Sequence, residues 1–216
     1  GQPLTPGKIY NSNTYSVAAQ VIRYGGIPKI LGIAKDSIES LVANIQKGLD
    51  ADMLITSAGV SAGDYDVVKH ALARLGEMEF CAVRMKPGKP VAFGMLNGNR
   101  KKVPHLGLPG NPVSSMVAFE QFGRPAILKM LGRKNLSKPT VQAIFKGHLR
   151  NREGRLVFAR ASVTKDDSGY VALLTGPQGS GILTSMAQAD GLIVVPEHVT
   201  LVEDGDRVQV QMLDWN

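Results

Sequence analysis

The stretch Met53 to Asp66, M-L-I-T-S-A-G-V-S-A-G-D-Y-D, constrains this chain more than any other. A short apolar run, Met53 to Ile55, has strand character and breaks into a loop of small residues ending in two carboxylates; Val67 to Leu75 then carries helical spacing. Gly59 and Gly63, with Ser57 and Ser61 beside them, let backbone N–H groups come close to a ligand, as a phosphate requires. Bare carboxylates at Asp64 and Asp66 would repel that phosphate, and a shared Mg2+ ion removes the conflict. The carboxylates also have a plainer use, as caps for the first-turn N–H groups of the helix.

The flanking segments set the fold class. Asn13 predicts the N-cap of a helix with Val17, Ala18, Val21 and Ile22 on one face and Gly25-Gly26 at its end. Ile27 to Ile33 reads as a strand, and Asp36 or Ser37 opens a second helix with Ile38, Leu41, Val42 and Ile45 on one face. This alternation predicts an α/β fold, a three-layer αβα domain with a mostly parallel sheet. Ligands of such sheets sit beyond the carboxyl ends of the strands, where the 56–66 loop falls.

Short strands follow at Phe80 to Met85, Val91 to Gly94 and Val103 to Leu106, punctuated by two rigid elements. In Lys86-Pro-Gly-Lys-Pro90 the prolines restrict the backbone and hold two ammonium groups three residues apart, either for an oxyanion or as a solvated hairpin tip. In Leu108-Pro-Gly-Asn-Pro-Val-Ser-Ser115, Asn111 is typed as an N-cap and Pro112 as the first helical residue of a long helix. Gly110, Asn111 and Ser114 there can hold an anion, or simply cap the helix. Pro125 breaks or kinks that helix.

Gly132 to Pro139 reads as a linker, dividing the chain into an α/β domain over residues 1–135 and a small all-β, barrel-like domain over 136–216. The second domain is predicted from β-branched runs at Val141 to Phe145, Leu156 to Val163, Tyr170 to Leu174, Leu192 to Val195 and Arg207 to Met212. Its loop Gly176-Pro-Gln-Gly-Ser-Gly181 is too glycine-rich for a strand and can present the Ser180 hydroxyl.

Charge is segregated within the net +7: ten basic residues between Lys129 and Lys165 face only Glu153, which favours an anionic ligand or a solvated basic face. With aromatic content of only 6% and no basic-aromatic clusters, nucleic acid is not expected as the partner. The four scattered histidines and single Cys81 argue against a zinc site, and Cys81, with no partner for an internal disulfide, fits a reducing compartment. No apolar run is long enough to span a membrane.

Taken together, T-S-A-G-V-S-A-G-D-Y-D, M-K-P-G-K-P, G-L-P-G-N-P-V-S and G-P-Q-G-S, in this order, resemble the molybdopterin molybdenumtransferases, the MoeA and gephyrin E-domain family. The resemblance implies an enzyme of molybdenum cofactor biosynthesis that inserts molybdate into adenylylated molybdopterin with metal-assisted release of AMP. It implies a cytoplasmic homodimer, whose α/β domain is like that of MoaB and MogA, and the adenylyltransferase of the same pathway as a possible partner. On this likeness Asp66 is the catalytic, metal-associated carboxylate and Asp64 its companion; Lys86 and Lys89 face the oxyanion, and Arg160 and Ser180 help hold molybdate. Ala58 stands where the family commonly has glycine, and Asn11 where many members carry an acid. Family members usually have a further strand of this sheet before the G-Q-P-L found here. The alternatives are the adenylyltransferase itself, which shares the α/β domain, and a non-catalytic binding scaffold.

Overall fold

The computed structural model describes residues 3–60 and 65–213. Its helices are α1 (Asn13–Arg23), α2 (Ile38–Gln46), α3 (Tyr65–Ala73), α4 (Pro112–Ala118), α5 (Arg124–Met130) and α6 (Leu183–Ala187). Strands β1 (Leu54–Ser57), β2 (Gly76–Ala82), β3 (Met85–Lys86), β4 (Pro90–Asn97) and β5 (Lys102–Leu108) precede α4. After α5 come β6 (Thr140–Lys146), β7 (Leu149–Arg150), β8 (Leu156–Asp166), β9 (Gly169–Leu174), β10 (Gly191–Val195), β11 (Leu201–Val202) and β12 (Arg207–Met212).

The first sheet is mixed, which corrects the expectation of a mostly parallel one. Its order is β1-β5-β4-β2; β1 and β5 are parallel, whereas β5–β4 and β4–β2 are antiparallel. The tight turn after Asn97, closed by the Gly98 N–H to the Lys101 carbonyl, makes β4 and β5 a hairpin, and hairpin neighbours run antiparallel. The predicted strand at 27–33 is absent. Among the described residues the segment pairs with no strand, although β1 is an edge strand with its outer side unpaired, and Ile27, Ile30 and Ile33 stay exposed.

Helix starts follow local chemistry. Ser37 caps α2 by accepting from the Ser40 N–H at 3.2 Å, as its position predicted. At α1 the helix begins on Asn13 itself, one residue earlier than an Asn13 cap requires; Asn11 Oδ1 accepts from the Thr14 N–H at 3.2 Å instead. Between α4 and α5 the backbone widens into a π-helical turn, Phe119–Gly123. Pro125 has no N–H to return to an earlier carbonyl, and the wider turn lets the helix continue through it.

All five predicted strands of the second half form. Pairings β10–β12, β12–β6, β6–β9 and β9–β8 are completed by β8–β10, closing a five-stranded ring around Phe145, Ile193 and Val210. Each fully buried side chain of this size contributes about 2–3 kcal/mol by leaving water. The short β3 adds to the ring in parallel with β8, pairing Met85 with Leu156 and Lys86 with Val157. A shared apolar cluster of Val113, Val117, Met85, Phe158, Met186 and Leu192 packs α4 against the ring.

The basic segment before β6 is held down. Arg124 donates to the carbonyls of Leu136 at 2.8 Å and Ser137 at 3.1 Å, and the buried Lys138 forms an ion pair with the buried Glu120. Glu120 also accepts from Gln20 Nε2 at 2.8 Å and the Tyr24 hydroxyl at 2.7 Å. Among the described residues no helix is long and apolar enough to cross a membrane.

Candidate functional site

Strands β1 and β5 lie side by side and end together, so the loops that follow them emerge at one edge. The Ala58 N–H donates to the Leu108 carbonyl at 3.0 Å, and Gly110 approaches so near that a Cβ there would contact Ala58 at 3.4 Å. Asn13 reaches in from α1 to donate to the Gly110 carbonyl at 2.8 Å. Ala58 itself adopts φ 71, the left-handed region, in which an alanine is strained and glycine is not. Gly59 follows at φ 74 against Val68, with no room for a side chain. Ser57 is exposed at the mouth of this loop. Asp66 is the second residue of α3; Ser61, Gly63 and Asp64 lie outside the described residues.

Asn111 occupies the N-cap position of α4 but makes no capping bond with its side chain. Its Nδ2 donates instead to Ser180 Oγ at 2.9 Å, and the Val113 N–H donates to the Ser180 carbonyl at 3.0 Å. One of the helix-start N–H groups expected to be free for an anion is therefore taken by the glycine-rich loop. Ser114 is buried beneath this junction.

Arg160 is only 1% exposed and lies under the same loop. Its guanidinium donates to the carbonyls of Pro177 at 3.2 Å, Gln178 at 3.1 Å and Gly179 at 3.0 Å, and to Ser185 Oγ at 3.0 and 3.1 Å. Burial lowers its pKa to about 10, so it remains charged at neutral pH. Gln178 completes the lock, accepting from the Arg160 N–H at 2.8 Å and donating to the Arg160 carbonyl at 3.2 Å. The geometry thus gives Arg160 the task of shaping the loop that carries Ser180. Gln178 and Ser185 were not singled out from the sequence, since an arginine's burial leaves no periodic signal.

Lys86 and Lys89 are exposed on the hairpin, whose Gly88 at φ 105 sits against Ser114 and Ala118 of α4. Lys86 Nζ is bonded to Glu153 Oε1 at 2.7 Å, and Arg155 reaches Glu153 Oε2 at 3.0 Å. The bond from Lys86, then the fields of Lys86, Arg155 and Lys89, hold the Glu153 carboxyl below the usual carboxylate range. Behind the β1 edge, the fully buried His105 shares a 3.0 Å hydrogen bond with Thr56 Oγ1, and burial lowers its pKa to about 4. Among the described residues no three His, Cys, Asp or Glu side chains gather as a metal cage. Mg2+ commonly takes one or two carboxylates and completes its shell with water and phosphate, so it needs no such cage.

Comparisons with known proteins match both halves of the chain. The family described as a probable molybdopterin binding domain matches residues 1–129, and the MoeA C-terminal region (domain IV) matches residues 142–213. Molybdopterin molybdenumtransferase 2 of Mycobacterium tuberculosis is 37% identical over 217 residues, covering 97% of this chain and 52% of that protein. The molybdopterin molybdenumtransferase of Haemophilus influenzae is 34% identical over 214 residues, covering 98% and 52%. Two structures of molybdopterin biosynthesis MoeA proteins from Pyrococcus horikoshii superpose with TM-scores of 0.81 and 0.72, at 30% and 23% identity. They cover 100% and 96% of this chain, and the chain covers 51% and 47% of theirs. The chain spans about half the length of the curated relatives it matches.

Proposed function

The chain belongs to the probable molybdopterin binding domain family, followed by a MoeA C-terminal region, and on that premise we propose that it is a molybdopterin molybdenumtransferase. On this reading it inserts molybdate into adenylylated molybdopterin and releases AMP. The observation that carries the reading is the Asn111–Ser180 junction, which joins the loops at the ends of β1 and β5 to the loop of the β-ring.

Each group then has a task. Ser57 and Gly59 of the loop after β1, with Gly110 from the loop after β5, would meet the pterin phosphate, while the Ala58 N–H stays with the Leu108 carbonyl. Lys86 and Lys89 attract the doubly charged molybdate, Ser180 offers it a hydroxyl, and Arg160 with Gln178 keeps that hydroxyl in place. Asp66, with Asp64, would hold Mg2+, which when bound neutralises charge on the leaving phosphate.

We further divide the chain at residues 135 and 136 into its α/β and β-ring domains, and assign it to the cytoplasm as a homodimer. The exposure of the large apolar side chains Tyr15, Ile22, Ile27 and Ile33 supports burial against a partner. The test is AMP release from adenylylated molybdopterin with molybdate and Mg2+. Asp66→Asn is expected to bind substrate and slow release strongly; unchanged turnover contradicts the reading.

A further inference from the structure

Glu153 is the only carboxylate in a stretch of ten basic residues, and it stands at the ammonium assigned above to the oxyanion. Its two oxygens divide the local cations: Oε1 takes Lys86 at 2.7 Å and Oε2 takes Arg155 at 3.0 Å. The contact crosses from hairpin to ring, because β3 and β8 pair Lys86 with Val157, a few residues beyond Glu153. A carboxylate in this place makes the bonds that a tetrahedral oxyanion would make.

We propose that Glu153 is an internal competitor for the oxyanion, holding Lys86 until the ligand displaces it and so setting the affinity of the site. The inference rests on the oxyanion role of Lys86 in the proposed function. Both side chains are roughly half exposed, 51% for Lys86 and 40% for Glu153, and ion pairs so wetted are weak enough to exchange. A dianion exchanging for one carboxylate gains charge interaction with Lys86 and Lys89. Arg155 retains Glu153 after the exchange, so the carboxylate has somewhere to go.

The test is a calorimetric titration of molybdate into the wild type, Glu153→Gln, Lys86→Ala and the double variant. Glu153→Gln, which keeps the side chain's size, is expected to tighten binding roughly threefold, and the gain disappears when Lys86 is also removed. Unchanged affinity in Glu153→Gln beside a loss in Lys86→Ala overturns the competitor and leaves the proposed function standing. Weaker binding in Glu153→Gln makes Glu153 a support for Lys86 and also overturns it. If neither the wild type nor Glu153→Gln binds molybdate, the oxyanion role of Lys86 falls and the competitor with it.

Discussion

Asn111 Nδ2 donates to Ser180 Oγ over 2.9 Å, joining the start of α4 to the glycine-rich loop of the ring across 69 positions of sequence. The amide that would ordinarily cap the helix is spent on this bridge. Ser180→Ala removes the bridging oxygen and keeps the carbonyl that the Val113 N–H uses. Its cost in stability is expected to stay near ~1 kcal/mol, while the KM for molybdate rises; a melting curve and an AMP-release assay measure the two effects.

Ala58 is the described residue other than glycine that takes positive φ. A left-handed alanine costs about 1–2 kcal/mol, and the greater freedom of an unfolded glycine returns about half of that. Ala58→Gly is therefore expected to gain about 0.5–1 kcal/mol and raise Tm by roughly 2 °C. An equal or lower Tm would contradict the strain.

Glu120 and Lys138 are buried as a pair, with Gln20 and Tyr24 completing the carboxylate's bonds. Burial lowers the pKa of Lys138. Glu120→Gln strands a buried ammonium and is expected to cost about 3–5 kcal/mol. Adding Lys138→Met to that variant should restore much of the loss, a coupling that denaturant unfolding of the single and double variants reads directly.

His105 makes stability pH-dependent. Its folded pKa of about 4 lies below the ordinary value of 6.5, so between those limits the unfolded chain binds the extra proton. The contribution is full above pH 6.5, falls as pH drops to about 4, and totals about 3 kcal/mol. Unfolding titrations of the wild type and His105→Gln across this window should differ in slope; parallel curves would contradict the assignment.

The ring was legible because its strands alternate: β6 reads exposed, half-buried, exposed, buried through Thr140 to Ala143, the period that β-branched residues advertise. Two-residue strands such as β3, β7 and β11 are too short to carry any period, so the link from hairpin to ring was hidden. A mostly parallel sheet was suggested by the strand-like composition of Ile27 to Ile33, which pairs with no described strand, and by strands after α3 whose antiparallel sense depends on hairpin pairing that composition does not carry. The site's motif residues were visible as loops of special chemistry. Their supports Gln178 and Ser185 were not, and Asn13 was legible only as a helix cap, since each acts through a contact made only on folding.

An oxyanion site built on the hairpin lysines is open to a calorimetric titration of molybdate into the wild type and Lys89→Ala. Saturable binding that sulfate displaces poorly, and that is lost in Lys89→Ala, is expected. Equal affinity in the two proteins, or no binding in either, would contradict it.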